Sequence, residues 1–75
     1  MDNRDMIRMA NQIASFFNGS GPDMAVKDAA EHINKFWDPR MRTALIEHLA
    51  KGGDGLDPTI LKTKGQIKPP KLAEA

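Results

Sequence analysis

The stretch Phe36-Trp37-Asp38-Pro39-Arg40-Met41-Arg42 decides how this chain folds. Before it, Val26, Ala29, Ala30, Ile33, Phe36 and Trp37 recur at spacings of three and four, the apolar stripe of a helix over residues 23–36. That helix has to stop at Asp38, because a proline ring disfavours α geometry in the residue before it. The same two residues open the next helix. The Asp38 carboxylate can accept from the free N–H groups of a first turn, and Pro39 has no N–H to leave orphaned there. Two helices therefore meet at a sharp elbow.

Beyond the elbow, Met41, Leu45, Ile46 and Leu49 face inward on a third helix that runs to about Lys51, with Glu47 and Lys51 outward. Gly52-Gly53 ends it. Asp57-Pro58 repeats the capping device and starts a short helical turn through Leu61. Before the elbow, Met6, Met9, Ala10, Ile13, Phe16 and Phe17 share one face of a first helix over residues 3–17, with Asp2 or Asn3 as its cap. Asn18-Gly19-Ser20-Gly21-Pro22 breaks it. Pro22 suits a first helical position, Asp23 sits at the positive end of the second helix, and Glu31–Lys35 is a favourable pair. Ala29 and Ala30 let another helix come close.

Periodicity ends at Thr63. Gly65 and Pro69-Pro70 break any helix, and Lys62, Lys64, Lys68 and Lys71 stay solvated or form a basic strap that orders on an acidic partner. The expectation is an all-α fold: a small three-helix domain with a short fourth helical turn over residues 1–62, then a flexible basic tail over residues 63–75. There is no internal repeat.

A chain of 75 residues makes one domain, and one this small is marginal alone without a disulfide, a metal or a partner. Cysteine is absent and the histidines are only His32 and His48, so a partner chain is the expected staple. Five methionines and few β-formers favour helix. A net charge of +1 argues against nucleic acid as the partner. Residues 1–56 hold seven Lys/Arg against eight Asp/Glu, whereas residues 57–75 hold four against two. No apolar run approaches the roughly 18 residues of a membrane span. Asp2 and Asp5 with no apolar stretch beside them do not read as a signal peptide, so the expected location is cytoplasmic.

Catalytic patterns are missing: no activated serine or cysteine, no Walker loop, no GxGxxG. His32 and His48 read as surface or packing histidines before they read as metal or acid–base groups. Gly52-Gly53-Asp54-Gly55 looks like a phosphate loop, but it follows a helix C-terminus, where the dipole repels anions, so a cap and tight turn is the better reading. The elbow is more informative. Arg40 and Arg42 put positive charge in a first turn, where the dipole penalises it by about 0.3–1 kcal/mol each. Asp38, four residues before Arg42, is a possible local counter-charge. Rules broken without local gain tend to mark functional surface. Trp37, the only tryptophan, either closes the core or anchors an interface, and both roles are compatible.

The order Met9-Ala10-Asn11-Gln12-Ile13-Ala14-Ser15-Phe16-Phe17, Ala30-Glu31-His32-Ile33, Phe36 to Arg42, His48-Leu49 and Gly52-Gly53-Asp54-Gly55-Leu56-Asp57-Pro58 resembles the delta subunit of NAD-dependent formate dehydrogenases over about residues 6–61. The resemblance implies a soluble complex that oxidises formate and reduces NAD. In it, an alpha subunit carries bis-molybdopterin guanine dinucleotide with molybdenum or tungsten plus iron–sulfur clusters, and beta and gamma subunits carry FMN and further clusters. It implies no cofactor and no catalytic residue in this chain, and a role in stabilising the alpha subunit or aiding its maturation. The motif residues then enter as partner-interface candidates: Phe36, Trp37, Asp38, Pro39, Arg40, Met41, Arg42, Gly53, Gly55 and Leu56. The rival reading is a helix-turn-helix regulator that offers Arg40 and Arg42 to DNA.

Overall fold

The computed structural model describes residues 3–69. Its helices follow the order α1 (Asn3–Phe17), a 3₁₀ turn (Asn18–Ser20), α2 (Pro22–Phe36), α3 (Pro39–Ala50) and α4 (Pro58–Leu61), with no strand among the described residues. The fold is all-α, as the apolar spacings require.

The elbow follows capping chemistry. Asp38 is extended (φ −74°, ψ 167°), its carboxylate accepts from the Met41 N–H at 2.9 Å, and Pro39 takes the first helical position. Trp37 has also left helical geometry (ψ 138°), so two residues, not one, make the bend. Asp57 repeats the device on α4 by accepting from the Thr59 N–H at 2.9 Å. Gly21, at φ 96°, permits the reversal between α1 and α2 that a side chain would strain.

Met6, Ala10 and Ala14 of α1 pack against Ala29, Ala30 and Ile33 of α2, and Leu45, Leu49 and Ile60 close the core from α3 and α4. The alanines let the helix axes approach. They also explain a correction: Phe16 and Phe36, expected inside, are 79 % and 70 % exposed. Phe16 lies two residues, about 200° of helix rotation, from Ala14, so the seam that buries Ala14 turns Phe16 outward. Phe36 lies one turn beyond His32, on the flank of the core stripe.

The domain also extends past residue 62. Thr63 is fully buried, with its hydroxyl donating to the Ile60 carbonyl at 2.6 Å, and Ile67 is a core residue. The Asn34 side chain donates to the Gln66 carbonyl at 2.9 Å and accepts from the Lys68 N–H at 2.8 Å. Arg42 Nη1 donates to the Lys68 carbonyl at 3.2 Å. Residues 63–69 therefore form a strap fastened to α2 and α3, not the start of a flexible tail. Its single apolar anchor and its long-range side-chain bonds leave no periodic trace. Residues 70–75 of the expected tail lie outside the described residues. Among the described residues no helix is long and apolar enough to cross a membrane.

Candidate docking site

The interface residues read from the sequence do not form one surface. Asp38, Pro39 and Arg40 are exposed at the elbow, and Met41 is half-buried. Arg42 is turned inward onto the strap, with its Nε buried and unbonded. That placement removes one of the two arginines the helix-turn-helix reading needs. Trp37 is only 7 % exposed and belongs to the core. Gly53 and Leu56 are buried and Gly55 is exposed.

The glycine turn is a helix end. The Gly52 N–H donates to the Leu49 carbonyl at 3.1 Å and the Gly53 N–H to the His48 carbonyl at 2.8 Å, which satisfies the last carbonyls of α3. Gly53 has φ 67°, and a Cβ there would run into Leu61 Cδ2. His48 Nε2 lies 2.7 Å from the Asp54 carbonyl and braces the turn as a donor in the Nε2–H tautomer. These positions serve the fold. A contact role read into Gly53 and Leu56 is corrected to a structural one, since both surfaces are spent inside the chain.

The exposed aromatic side chains gather elsewhere, at the edge between α1 and α2. Phe16 and Phe17 meet edge to face with ring centroids 4.9 Å apart, Phe17 and His32 lie 5.9 Å apart, and His32 and Phe36 lie 4.8 Å apart. This row of four rings borders a groove of about 260 Å³ lined by Met9, Gln12, Ile13, Phe16, Phe17, His32 and Trp37. Phe36 and Trp37, both read from the elbow, thus belong to this edge. Of the residues lining the groove, Phe16 is the one the sequence reading placed inside that the structure exposes; Phe17 is half-buried against the core, and His32, read as a surface or packing histidine, is half-buried as well. The available signal was Phe16-Phe17 itself, because adjacent helix positions are about 100° apart and cannot both enter a seam built of alanines. Exposed apolar clusters of this kind mark surfaces that contact a protein, a membrane or a ligand.

Among the described residues no three His, Asp or Glu side chains gather as a metal site. A family model described as NADH-dependent formate dehydrogenase delta subunit FdsD matches residues 5–63. No curated protein and no solved structure matches the chain. The matched residues take in α1 but for its first two residues, all of α2, α3 and α4, the elbow, the glycine turn and the whole aromatic edge, and they end at the buried Thr63. On that extent of match, the chain belongs to the delta subunit family of NADH-dependent formate dehydrogenases.

Proposed function

We propose that this chain is a non-catalytic accessory subunit that docks on the large alpha subunit of a cytoplasmic formate dehydrogenase complex and stabilises it. The alpha subunit would carry the bis-molybdopterin guanine dinucleotide, with molybdenum or tungsten, and iron–sulfur clusters. Beta and gamma subunits would carry FMN, further clusters and the NAD site. The observation that carries the reading is the exposure of Phe16 and Phe36 on a chain from a subunit family. Burying a phenylalanine is worth about 1.5–3 kcal/mol, so two of them give a docking face a substantial gross driving force before the cost of association.

Binding only the folded partner stabilises it by mass action. If the partner conformation so favoured is also the one open to cofactor insertion, the same contact aids maturation. The test is to produce the alpha subunit with and without this chain, then measure its thermal melting and its metal content. A higher melting temperature with the chain present is expected. A rise in metal content would add the maturation role. An alpha subunit that neither retains the chain nor changes its melting overturns the proposal.

A further inference from the structure

We infer that Asn18 is a self-modification site. Its side-chain amide closes onto the Gly19 backbone nitrogen with help from the Thr59 hydroxyl, loses ammonia, and reopens with water as an aspartate or an isoaspartate. Asparagine stands at positions 3, 11, 18 and 34, and Asn18 alone precedes a glycine. The Gly19 nitrogen attacks Asn18 Cγ. A new C–N bond forms as the Cγ–Nδ2 bond breaks, and the hydrogen lost from Gly19 departs with Nδ2 as ammonia. Water then adds to either carbonyl of the cyclic imide and cleaves a C–N bond, so water is the sole co-reactant. A side chain on the following residue would obstruct the attack. Gly19 has none, and nothing lies within 4 Å of the place where one would stand.

The surroundings favour this asparagine over the others. Asn18, Gly19 and Ser20 are exposed and form a single 3₁₀ turn. The Gly21 N–H reaches the Asn18 carbonyl at 3.5 Å, past the usual limit of about 3.2 Å, so the turn is weakly closed. The Thr59 hydroxyl donates to Asn18 Oδ1 at 2.6 Å. That oxygen takes up negative charge as Cγ becomes tetrahedral, and a donor already in place stabilises it. The leaving nitrogen, Nδ2, is engaged by no described residue. Asn11 and Asn34, by contrast, have both amide atoms committed to the segments they clamp. Asp54-Gly55 can close the same ring with loss of water, but it is held on both sides: the Asp54 carbonyl lies 2.7 Å from His48 Nε2 and the Gly55 carbonyl accepts from Asn11 Nδ2 at 3.0 Å. The two products at position 18 differ in fit. An aspartate keeps an oxygen within reach of Thr59. An isoaspartate routes the main chain through the former side chain, lengthens a three-residue turn, and draws its carboxylate back to Cα, away from Thr59.

The test incubates the full chain at mildly alkaline pH and follows position 18 by peptide mapping and an isoaspartate methyltransferase assay. Both products should accumulate at position 18 while Asp54 stays unmodified. Gly19→Ala should slow the reaction about tenfold or more, since its Cβ obstructs the attacking nitrogen. Thr59→Val should slow it about three- to tenfold, the rate equivalent of one neutral hydrogen bond, and Thr59→Ser should restore it. Rates are compared at temperatures where circular dichroism shows each variant folded. Asn18→Asp should melt with the wild type, and the separated isoaspartate form should melt lower. An Asn18 that stays intact in the folded chain and converts only in urea overturns the site, because the turn then holds the amide away from the Gly19 nitrogen. A Thr59→Val chain that reacts as fast as the wild type, or faster, overturns the assisted closure, because the hydroxyl then contributes nothing or holds the amide out of reach.

Discussion

The Asp57 N–H donates to the Asn11 side-chain oxygen at 2.7 Å across 46 positions of sequence, and the same amide donates its Nδ2 hydrogen to the Gly55 carbonyl at 3.0 Å. Asn34 treats the strap identically, through the Gln66 carbonyl and the Lys68 N–H. In each case one amide takes the carbonyl of a residue and the N–H of the residue two positions on. These two clamps hold the non-helical segments onto α1 and α2, where neither helix nor sheet hydrogen bonds are available to do so.

Asn11→Ala should therefore destabilise more than Asn34→Ala. The Asp57 N–H is part-buried, so losing its acceptor costs about 1–3 kcal/mol. The Asn34 bonds are exposed and water can replace them, which leaves about 0.5–1.5 kcal/mol at most. In a domain of this size 1 kcal/mol is about 4–8 °C of melting temperature. Thermal melts of both variants check the order. Equal shifts would mean that solvent reaches Asp57 as readily as it reaches the strap.

Gly53→Ala should be the most damaging of the glycine substitutions in the turn. Its φ of 67° costs an L-residue about 1–2 kcal/mol, and the new Cβ displaces Leu61 as well. Gly19→Ala is the control, with nothing within 4 Å of the added carbon. A melt of Gly53→Ala within a degree or two of Gly19→Ala would show that the Leu61 side chain swings aside and the backbone relaxes.

The helices were legible because their signals are local. Asp38-Pro39 and Asp57-Pro58 name their own caps, and the i, i+3, i+4 spacings name the helices between them. Two things were not legible. The alanine seam of Ala10, Ala14, Ala29 and Ala30 decides which large residues are left outside. Hydrophobicity alone assigns Phe16 to the core before it assigns Ala14. The strap is held by Asn34, Arg42 and the buried Ile67, from three separate places in the chain, and no window of sequence contains that arrangement. For the same reason Arg42 read as an interface residue when its guanidinium faces inward.

Ending the chain after Gly65 should lower the melting temperature while leaving the helical signal at low temperature nearly unchanged. None of the four helices loses a residue, but Ile67 leaves the core and both Asn34 and Arg42 lose their partners. Removing one buried isoleucine alone costs about 2–5 kcal/mol by comparison with Ile→Ala changes. Circular dichroism spectra and melts of the two chains decide it. An unchanged melt would mean that the strap adds nothing to the folded state.

Arg40→Glu separates the elbow's two roles. Arg40 is exposed in the first turn of α3, a turn that contains no acidic residue, and it makes no hydrogen bond or ion pair among the described residues. A negative charge there complements the helix dipole in place of opposing it, worth about 0.3–1 kcal/mol. The free chain should therefore melt a few degrees higher. Association with the large subunit should move the other way. Arg40 follows Trp37, which lines the groove, by three residues, and a cation held against its own helix dipole is best explained by an acidic group on the partner. A rim charge acts chiefly on the association rate and is screened by salt. The expected pattern is slower association at low ionic strength, a difference that shrinks as salt rises, and little change in dissociation. Stopped-flow or surface-plasmon kinetics at two salt concentrations, beside a melt of the free chain, read all three. A firmer chain with unchanged association at both salts would show that Arg40 faces solvent in the complex, leaving the contact to the aromatic edge and Trp37.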